Sequence, residues 1–344
     1  MILISEKQYK ANLHCHSVLS DGKLTPEQLK NAYKERGYSV LAITDHERPG
    51  DHSDLSDDDF VMLTGYEAYI RPGTECRYDH YEREIHINLF NRDPHNTDLI
   101  CRNEKYIKYV KDENIRREMH SYGSTELREY SVDYINRFVR TAQEDGYICA
   151  LNHPVWSLED YSVLFEYKGF FSLEICNFGS FSGGLPEYNA ALYNMFLRHG
   201  IRIFAHSADD NHNSRPLDSP ATDSFGGFTM INTEGGKLDY ASVFAALEKG
   251  DFYSSMGPEI KRLEISGGKA AVQTSPAARI VMLTGGKKAF SVYPEKQGET
   301  VCSAVFDIPR TCPYVRFYVT DEKGRAADTR GYFPDEFDFF ADEE

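Results

Sequence analysis

The chain has 344 residues, 41% of them hydrophobic, and a formal net charge of −16 at pH 7. This hydrophobic content supports a sizeable core, so we expect a globular protein with one large domain and an appendage, or with two ordinary domains. The acidic charge argues against a long nucleic acid as partner, because neutralising many phosphates requires a basic surface. It leaves a small phosphate ester possible, since divalent cations can make one site locally positive.

The N-terminus and the cysteines indicate a cytoplasmic protein. Residues 1–5 lack a charged segment followed by a long apolar run, and no segment approaches the roughly 20 apolar residues of a membrane-spanning helix. We therefore expect no signal peptide and no membrane association. The seven cysteines are an odd number without Cys-x-x-Cys spacing, which favours reduced thiols and argues against a zinc ribbon. The sequence leaves the oligomeric state open.

The chain begins with a short strand that leads into His14 and His16. Residues two apart on an extended strand point to the same face, so both imidazoles can reach one metal ion. Asp21, five residues later, places a carboxylate on a turn, and residues 25–28 are typical of a helix start with an N-cap Thr and a Pro at the first position. Taken alone, the pair could also be two strand histidines near a surface turn.

Strands and helices alternate along most of the chain. The predicted elements are a helix at 25–37, strands at 38–44, 61–64 and 85–90 with a polar loop at 71–84 between the last two, a helix at 98–122, a helix at 132–145, a strand at 147–151, a helix at 158–167, a strand at 170–175, a helix at 186–199, strands at 201–205 and 228–231, and a helix at 240–249. This alternation predicts parallel strands covered by helices.

The alternation predicts an α/β domain over residues 1–257. A closed or nearly closed barrel is the commonest solution for about 250 residues of such units, and a doubly wound open sheet is the alternative. After residue 257, short apolar runs alternate with Gly, Pro and Asp turns, which predicts a small C-terminal antiparallel β domain at 258–335. Residues 336–344 are predicted to be an acidic tail.

Polar residues that can bind metal collect at the ends of the predicted strands. They are His14 and His16, Asp45 and His46, Glu67, His86, His153, and Asp210 with His212. Each is ambiguous alone, because an isolated Asp or His is usually a cap or a loop residue. In a parallel barrel, however, all strands deliver their C-terminal ends to one rim. We therefore expect these side chains to converge there.

These residues resemble a known family, the PHP (polymerase and histidinol phosphatase) domain superfamily. The motifs that carry the resemblance are His14-Cys15-His16-Ser17, Ser20-Asp21-Gly22, Leu41-Ala42-Ile43-Thr44-Asp45-His46, Gly65-Tyr66-Glu67, His86, Asn152-His153-Pro154 and Asp210-Asn211-His212. They occur in order over residues 9–257 and leave the predicted β domain outside. The resemblance implies a distorted barrel of seven β/α units with a trinuclear metal site.

The resemblance also implies a ligand set. His14, His16, Glu67 and Asp210 would hold one ion, Glu67, His86 and His153 a second, and Asp21, His46 and His212 a third. Family spacing selects Asp210 rather than the adjacent Asp209. His206 is then an additional imidazole near the rim, which either contacts substrate or, as we favour, fills space.

The ligand types predict the chemistry. Imidazole with carboxylate suits two to three divalent ions of zinc, manganese or iron better than magnesium or calcium. Three ligand carboxylates only partly neutralise such ions, so the site favours an anionic substrate. A hydroxide that bridges two ions, held at Glu67, would attack phosphorus, and we assign no separate protein base. The sequence therefore predicts hydrolysis of a small phosphate monoester or a short nucleotide.

Arginines near the motifs are candidates for phosphate binding, because guanidinium matches phosphate oxygens in pairs. Arg48 and Arg215 follow His46 and His212 closely in sequence. A second group, Arg71, Arg77 and Arg83, lies in the polar loop and is either a cover for the site or simply solvated.

Two other functions remain open. An amidohydrolase also uses His-x-His on a barrel, but this chain has no obvious candidate for the usual bridging lysine at a strand end. A non-enzymatic binding protein on the same scaffold is the third reading, although the complete set of family ligand positions argues against it.

Overall fold

The computed structural model of the chain describes residues 1–72 and 83–337. Its strands are β1 (Ile2–Ile4), β2 (Tyr9–Asn12), β3 (Val40–Ile43), β4 (Val61–Ile70), β5 (Ile85–Asn91), β6 (Leu99–Ile100), β7 (Ser121–Tyr122), β8 (Tyr147–Leu151), β9 (Phe170–Asn177), β10 (Phe204–Ala208), β11 (Phe228–Ile231), β12 (Phe252–Ser255), β13 (Ile260–Ser266), β14 (Lys269–Ala277), β15 (Arg279–Leu283), β16 (Ala289–Val292), β17 (Val301–Asp307), β18 (Arg316–Thr320) and β19 (Ala326–Thr329). Its helices are α1 (Pro26–Glu35), α2 (Glu113–Glu118), α3 (Val132–Glu144), α4 (Tyr161–Leu164), α5 (Phe178–Ser182), α6 (Ala190–Arg198) and α7 (Tyr240–Lys249).

The predicted start and end of the first helix are confirmed. The Thr25 hydroxyl accepts a hydrogen bond from the Gln28 N–H at 3.2 Å, and the Gln28 side chain accepts one from the Thr25 N–H at 2.9 Å. This reciprocal pair is a capping box. At the other end, Gly37 takes the left-handed conformation, with a φ of +76°, that commonly stops a helix. Leu29 and Tyr33 bury one face of α1 against the sheet.

Seven strands form the part of the sheet that carries the predicted site, in the order β10-β9-β8-β5-β4-β3-β2. Strands β2, β3 and β4 run parallel to one another, as do β8, β9 and β10. Strand β5 is antiparallel to both of its neighbours, β4 and β8. The predicted α/β class is therefore present, with one strand reversed.

The two ends of this seven-strand ladder meet at the rim. The His16 N–H donates to the Asn211 carbonyl at 3.0 Å, and the Asp210 N–H donates to the His14 carbonyl at 2.9 Å. Within the described ranges this bridge, centred on Cys15 and Asn211, is the only ladder pairing between the two ends, and the body of β2 pairs with β11 instead. The closed barrel of seven β/α units is therefore not confirmed.

The C-terminal part is rich in antiparallel strands, as predicted. Strands β12, β19, β18, β15 and β16 extend the main sheet, and β1, β13, β14 and β17 form a second sheet. Strand β12 pairs with β19, and β1 at the N-terminus pairs with β13, so strands from both sides of residue 257 share each sheet. The domain boundary stays a prediction. Most of the predicted acidic tail, residues 338–344, lies outside the described residues.

Some element predictions are wrong. The segment 98–122 is not one helix, because β6 and β7 pair there and only the short α2 is helical. The apolar residues of β6 are fully buried against the core, which favours pairing over a solvated helix. The helices predicted at 158–167 and 186–199 are shorter, namely α4 and α6, and the strand predicted at 201–205 is β10. Most of the predicted loop 71–84 lies outside the described residues.

Hydrophobic clusters fill the space around both parts of the sheet. Three clusters surround the seven-strand ladder, and a fourth packs between the two C-terminal sheets. The six cysteines within the described ranges are free thiols. Within those ranges, no helix combines the length and the apolar character needed to cross a membrane.

Candidate metal centre

His14 and His16 lie on the extended segment that continues β2. Cys15 between them is buried in the hydrophobic cluster that also holds α1. Because neighbouring residues of an extended chain point to opposite sides, the two imidazoles point together away from that cluster. Their Nε2 atoms are 3.3 Å apart, and both side chains are fully buried.

Glu67 lies in the middle of β4, a strand that is buried along its whole length. Its carboxylate contacts five imidazoles: Oε1 is 3.2 Å from His14 Nε2, 3.0 Å from His86 Nδ1 and 3.3 Å from His153 Nε2, and Oε2 is 3.5 Å from His16 Nε2 and 3.0 Å from His46 Nδ1. Glu67 is therefore the centre of the cluster, and its two oxygens face different groups of histidines.

Asp210 follows β10 and joins the same cluster. Its Oδ1 lies 3.0 Å from Nε2 of both His14 and His16. The adjacent Asp209 points elsewhere, and its carboxylate accepts hydrogen bonds from the backbone N–H groups of residues 225–227. The structure therefore separates the two neighbouring aspartates and places Asp210 among the imidazoles.

Asp21, His46 and His212 form the outer side of the cluster. Asp21 Oδ1 lies 3.4 Å from His212 Nε2 and 3.7 Å from His16 Nδ1, and Oδ2 lies 3.7 Å from His46 Nε2. Asp21 and His212 are about one third exposed, so this side faces the solvent. The Tyr109 hydroxyl donates to Asp21 Oδ2 at 3.0 Å, and the Tyr109 ring stacks on His46.

The structure thus brings together all nine side chains that the sequence singled out as ligands. They are His14, His16, Asp21, His46, Glu67, His86, His153, Asp210 and His212. Within them, three groups have donor atoms that all lie within 4.8 Å of one another: His14, His16, Glu67 and Asp210; His16, Asp21, His46 and His212; and His46, Glu67 and His86. Which ions each group holds stays a prediction.

The carboxylates and imidazoles of the cluster shift one another's pKa values. Burial disfavours charge, but the neighbouring imidazoles hold the pKa values of Glu67 and Asp210 well below their usual range. Burial also opposes protonation of His86, yet Glu67 raises its pKa to about 10. For His16, burial and two adjacent imidazoles lower the pKa to about 4. The carboxylates therefore stay ionised, and the cluster favours a positive charge at its centre.

Three buried nitrogen and oxygen atoms of the cluster lack a hydrogen-bond partner among the described residues. They are Nδ1 of His46, Nδ1 of His86 and Oδ1 of Asp210. The two histidine nitrogens each lie 3.0 Å from a Glu67 carboxylate oxygen, and Asp210 Oδ1 lies 3.0 Å from His14 Nε2. None of these contacts has the alignment of a hydrogen bond. An unpaired buried polar atom costs about 1–3 kcal/mol, and imidazole and carboxylate are ligands of divalent transition metals. These residues therefore fit a site for such ions.

Glu174 also belongs to the cluster, although the sequence analysis did not find it. It lies in β9, is fully buried, and places Oε1 3.0 Å from Nδ1 of His14, while Oε2 accepts a hydrogen bond from the His153 N–H at 2.9 Å. A carboxylate behind a histidine fixes the tautomer and leaves Nε2 free for a metal. The signal in the sequence was a glutamate inside an otherwise largely apolar predicted strand.

Asp45 supports the site without joining it. This buried carboxylate accepts hydrogen bonds from the N–H and hydroxyl of Ser17 at 2.8 and 2.6 Å, and from those of Ser20 at 3.1 and 2.6 Å. These bonds hold the turn that ends in Asp21. The adjacent His46 is therefore the cluster member of the Asp-His pair.

A cavity of about 670 Å³ opens onto the cluster. Trp156 lines it, with its ring centre 4.9 Å from that of His153. Arg71 and Lys108 also line it, and each cation lies 5.0 Å from the centre of the Tyr69 ring. The cavity therefore combines an aromatic wall with two cationic side chains, of which Arg71 pairs with Glu84 in the same lining. Lys108 was missed because it lies in the segment 98–122, whose fold was predicted wrongly.

Arg48 and Arg215, the predicted phosphate-binding arginines, do not line the cavity. Arg48 donates to the Leu19 carbonyl at 3.0 Å, and Arg215 is exposed outside the cavity. The physical reason lies in the backbone between each histidine and its arginine. Glu47 and Asn213 have φ values of +49° and +56°, so the chain turns sharply after the histidine.

His206 does not line the cavity either. It is fully buried below the cluster, outside the cavity lining, and its Nδ1 lies 2.9 Å from the Ser172 hydroxyl. The space-filling role favoured from the sequence stays a prediction. Of the loop arginines, Arg77 lies outside the described residues and Arg83 pairs with Asp160 at 2.9 Å.

The family model of the PHP domain matches residues 12–182 of the chain. These residues contain seven of the nine side chains in the cluster, and the other two, Asp210 and His212, follow β10. The chain therefore contains a PHP domain. None of the curated proteins searched matches the chain.

Several solved structures resemble this one. One is a two-domain protein from Bacteroides vulgatus containing a predicted PHP-like metal-dependent phosphoesterase, with a TM-score of 0.42 and 12% identity over 92% of this chain and 91% of that protein. Another is an amidohydrolase from Chromobacterium violaceum with bound sulfate and no metal, with a TM-score of 0.42 and 16% identity over 70% and 96% of the two chains. A lesion-specific endonuclease from Pyrococcus furiosus has a TM-score of 0.38 and 12% identity over 70% and 56%.

Proposed function

We propose that the protein is a metal-dependent phosphoesterase that hydrolyses a small phosphate monoester or a short nucleotide. The observation that carries the proposal is the convergence of six imidazoles and three carboxylates beside one cavity, with buried nitrogen and oxygen atoms that lack a hydrogen-bond partner among the described residues. The PHP domain supports the reaction class. A volume of about 670 Å³ is in the usual range for small-molecule sites, which supports a small substrate.

The chain would hold two to three divalent ions of zinc, manganese or iron. We assign His14, His16, Glu67 and Asp210 to one ion, Glu67, His86 and His153 to a second, and Asp21, His46 and His212 to a third. The mixture of imidazole and carboxylate favours these metals over magnesium and calcium. Glu67 is the shared ligand in this assignment, because its carboxylate lies within 3.5 Å of His14 and His16 of the first group and of His86 and His153 of the second.

Bound divalent ions supply Lewis acidity and activate water as a nucleophile at neutral pH. The residues of the chain bind and orient: Glu174 fixes the His14 ring, and Asp45 holds the turn that carries Asp21. Arg71 and Lys108 provide positive charge in the cavity wall, where phosphate oxygens can be bound. We assign no separate protein base.

The first test is elemental analysis of the purified protein, together with release of inorganic phosphate from p-nitrophenyl phosphate, nucleoside monophosphates and short oligonucleotides. We expect two to three transition-metal ions per chain. We expect His14→Ala to lower turnover by at least about a thousandfold, because bound divalent ions lower the pKa of water by several units. The matched control is His120→Ala, which removes an exposed imidazole outside the cavity lining.

Two results would contradict the proposal. Metal-loaded protein that releases ammonia from amides, but no phosphate from any ester, would instead favour the amidohydrolase. Protein that binds no metal after supplementation, yet is folded, would favour a binding protein.

A further inference from the structure

A five-residue segment, residues 185–189, connects the cavity wall to the C-terminal strands, and we name it the strap. Leu185 at its start lines the cavity. The backbone of the strap is held against β9, because the Asn189 N–H donates to the Ile175 carbonyl at 2.6 Å and Tyr188 bridges to Cys176. With the backbone held in this way, the side chains of the strap contact the Trp156 turn and the C-terminal strands.

The Glu187 carboxylate connects the strap to the turn that carries Trp156. Oε2 accepts a hydrogen bond from the Trp156 N–H at 2.7 Å, and Oε1 accepts one from the Val155 N–H at 3.2 Å. Asn189 Nδ2 also donates to Oε1 at 2.7 Å. Glu187 is fully buried, and a buried carboxylate with three donors holds its partners firmly.

The Trp156 turn forms one wall of the site. The Trp156 ring centre is 4.9 Å from that of His86 as well as that of His153, and the residue is 40% exposed and lines the cavity. The next residue, Ser157, places its hydroxyl 3.2 Å from His153 Nδ1. The position of this turn therefore determines where the Trp156 ring lies and which group His153 Nδ1 contacts.

The next strap residue, Tyr188, reaches the C-terminal strands. Its hydroxyl donates to Asp328 Oδ2 on β19 at 2.5 Å. Asp328 is almost fully buried and is held in turn by Arg316 of β18, whose Nη1 donates to Oδ1 at 2.8 Å. Tyr188 thus ends on a side chain that two C-terminal strands fix in place.

We propose that Glu187 is a positioning residue for the Trp156 wall of the active site, and that the C-terminal strands set this wall through the contact between Tyr188 and Asp328. The C-terminal strands then shape the cavity from behind, although no described residue after Asp223 lines it. The position of Trp156 can be measured without turnover, whereas the kinetic consequence rests on the proposed function.

The test uses the full chain, in which Trp156 is the only tryptophan, so intrinsic fluorescence reports this one wall. We would measure acrylamide quenching in wild type, Tyr188→Phe and Glu187→Gln. We expect the quenching constant to rise by about twofold in both variants, because a lost buried hydrogen bond raises the population of the displaced turn several-fold. The control, Tyr9→Phe, removes a tyrosine hydrogen bond to the Gly236 carbonyl away from the strap and should leave quenching unchanged.

Each outcome decides a part of the proposal. Unchanged quenching in folded Tyr188→Phe and Glu187→Gln would overturn it. A rise with Glu187→Gln alone would keep the positioning role and overturn the link to Asp328. If Glu187→Gln does not fold, Tyr188→Phe decides, since it removes one hydroxyl only.

The kinetic arm uses p-nitrophenyl phosphate. We expect KM to rise about threefold in Tyr188→Phe with kcat nearly unchanged, because a displaced wall weakens binding of substrate and transition state alike. A fall in kcat without a change in KM would contradict a wall-positioning role. If wild type hydrolyses no ester, the proposed function fails while the fluorescence result still stands.

Discussion

The cluster around Glu67 and the ion pair of Arg316 with Asp328 both hold charged side chains away from water, but they do so differently. The Arg316 guanidinium donates to Asp328 Oδ1 and to Asn194 Oδ1, each at 2.8 Å. In the described part of the chain, neither Arg316 nor Asp328 has a buried side-chain atom without a partner, whereas the Glu67 cluster has three such atoms. Arg316 and Asp328 satisfy each other's charge and hydrogen bonds within the described chain, whereas the cluster needs a bound group to satisfy its three remaining atoms.

The difference follows from what burial costs. A buried charge is tolerated only when an opposite charge and hydrogen bonds compensate it. Arg316 and Asp328 compensate each other. In the Glu67 cluster, imidazoles that face carboxylates without hydrogen-bond alignment leave the compensation unfinished, and cations would complete it. The stability of the Arg316–Asp328 region should therefore respond to mutation alone, and that of the Glu67 cluster should also respond to metal.

The largest expected effect comes from breaking the ion pair of Arg316 with Asp328. Arg316→Met leaves the buried Asp328 carboxylate without its counter-ion, so we expect the free energy of unfolding to fall by about 3–5 kcal/mol. Urea unfolding of the metal-loaded protein measures this. Arg262→Met is the control: its pair with Glu264 at 3.0 Å is partly exposed, and its loss should cost less than about 1 kcal/mol. Equal effects of the two changes would mean that burial does not set the strength of these pairs.

The next effect tests whether the incomplete cluster needs cations. Removing metal with a chelator and then adding manganese or zinc at about a hundred times the dissociation constant should stabilise the fold by about 2.7 kcal/mol. Thermal unfolding with and without metal measures the gain. In His14→Ala the gain should shrink strongly, since one ligand is missing. No metal-dependent shift in wild type would remove the contrast between the two regions.

A smaller effect concerns the carboxylate behind His14. Glu174→Gln keeps the size of the side chain but weakens its hold on the His14 ring, so we expect metal affinity or turnover to fall about 10- to 100-fold. Metal titration followed by phosphate-release assays would measure both. Gln143→Glu, the reverse change between the same two side-chain types at an exposed position of α3, serves as the control. An affinity and a rate equal to wild type would show that Glu174 does not orient His14.

The smallest effect separates the cations that line the cavity from those that do not. Lys108→Ala should raise KM for p-nitrophenyl phosphate about two- to fivefold, the range for a solvent-exposed charge pair. Arg215→Ala should leave KM unchanged, because this arginine lies outside the cavity lining. The reverse order would restore the phosphate-binding role predicted for Arg215 from the sequence.

Much of the site could be predicted from sequence because its signals are local. His14 and His16 share a face by the two-residue period of an extended chain, and the other candidates follow buried strands whose ends meet at one rim. The capping box of α1 is equally local, since Thr25 and Gln28 are three residues apart. The resemblance to the PHP family rests on these same short motifs.

The sequence by itself therefore determined the α/β class, the family and the set of candidate ligand residues. Only the tertiary structure decided that Glu174 backs His14, that Lys108 rather than Arg48 lines the cavity, and that Tyr188 meets Asp328. The physical reason is that these contacts join segments far apart in the chain. Periodicity predicts which way a side chain points on its own strand or helix, but not which distant side chain it will meet.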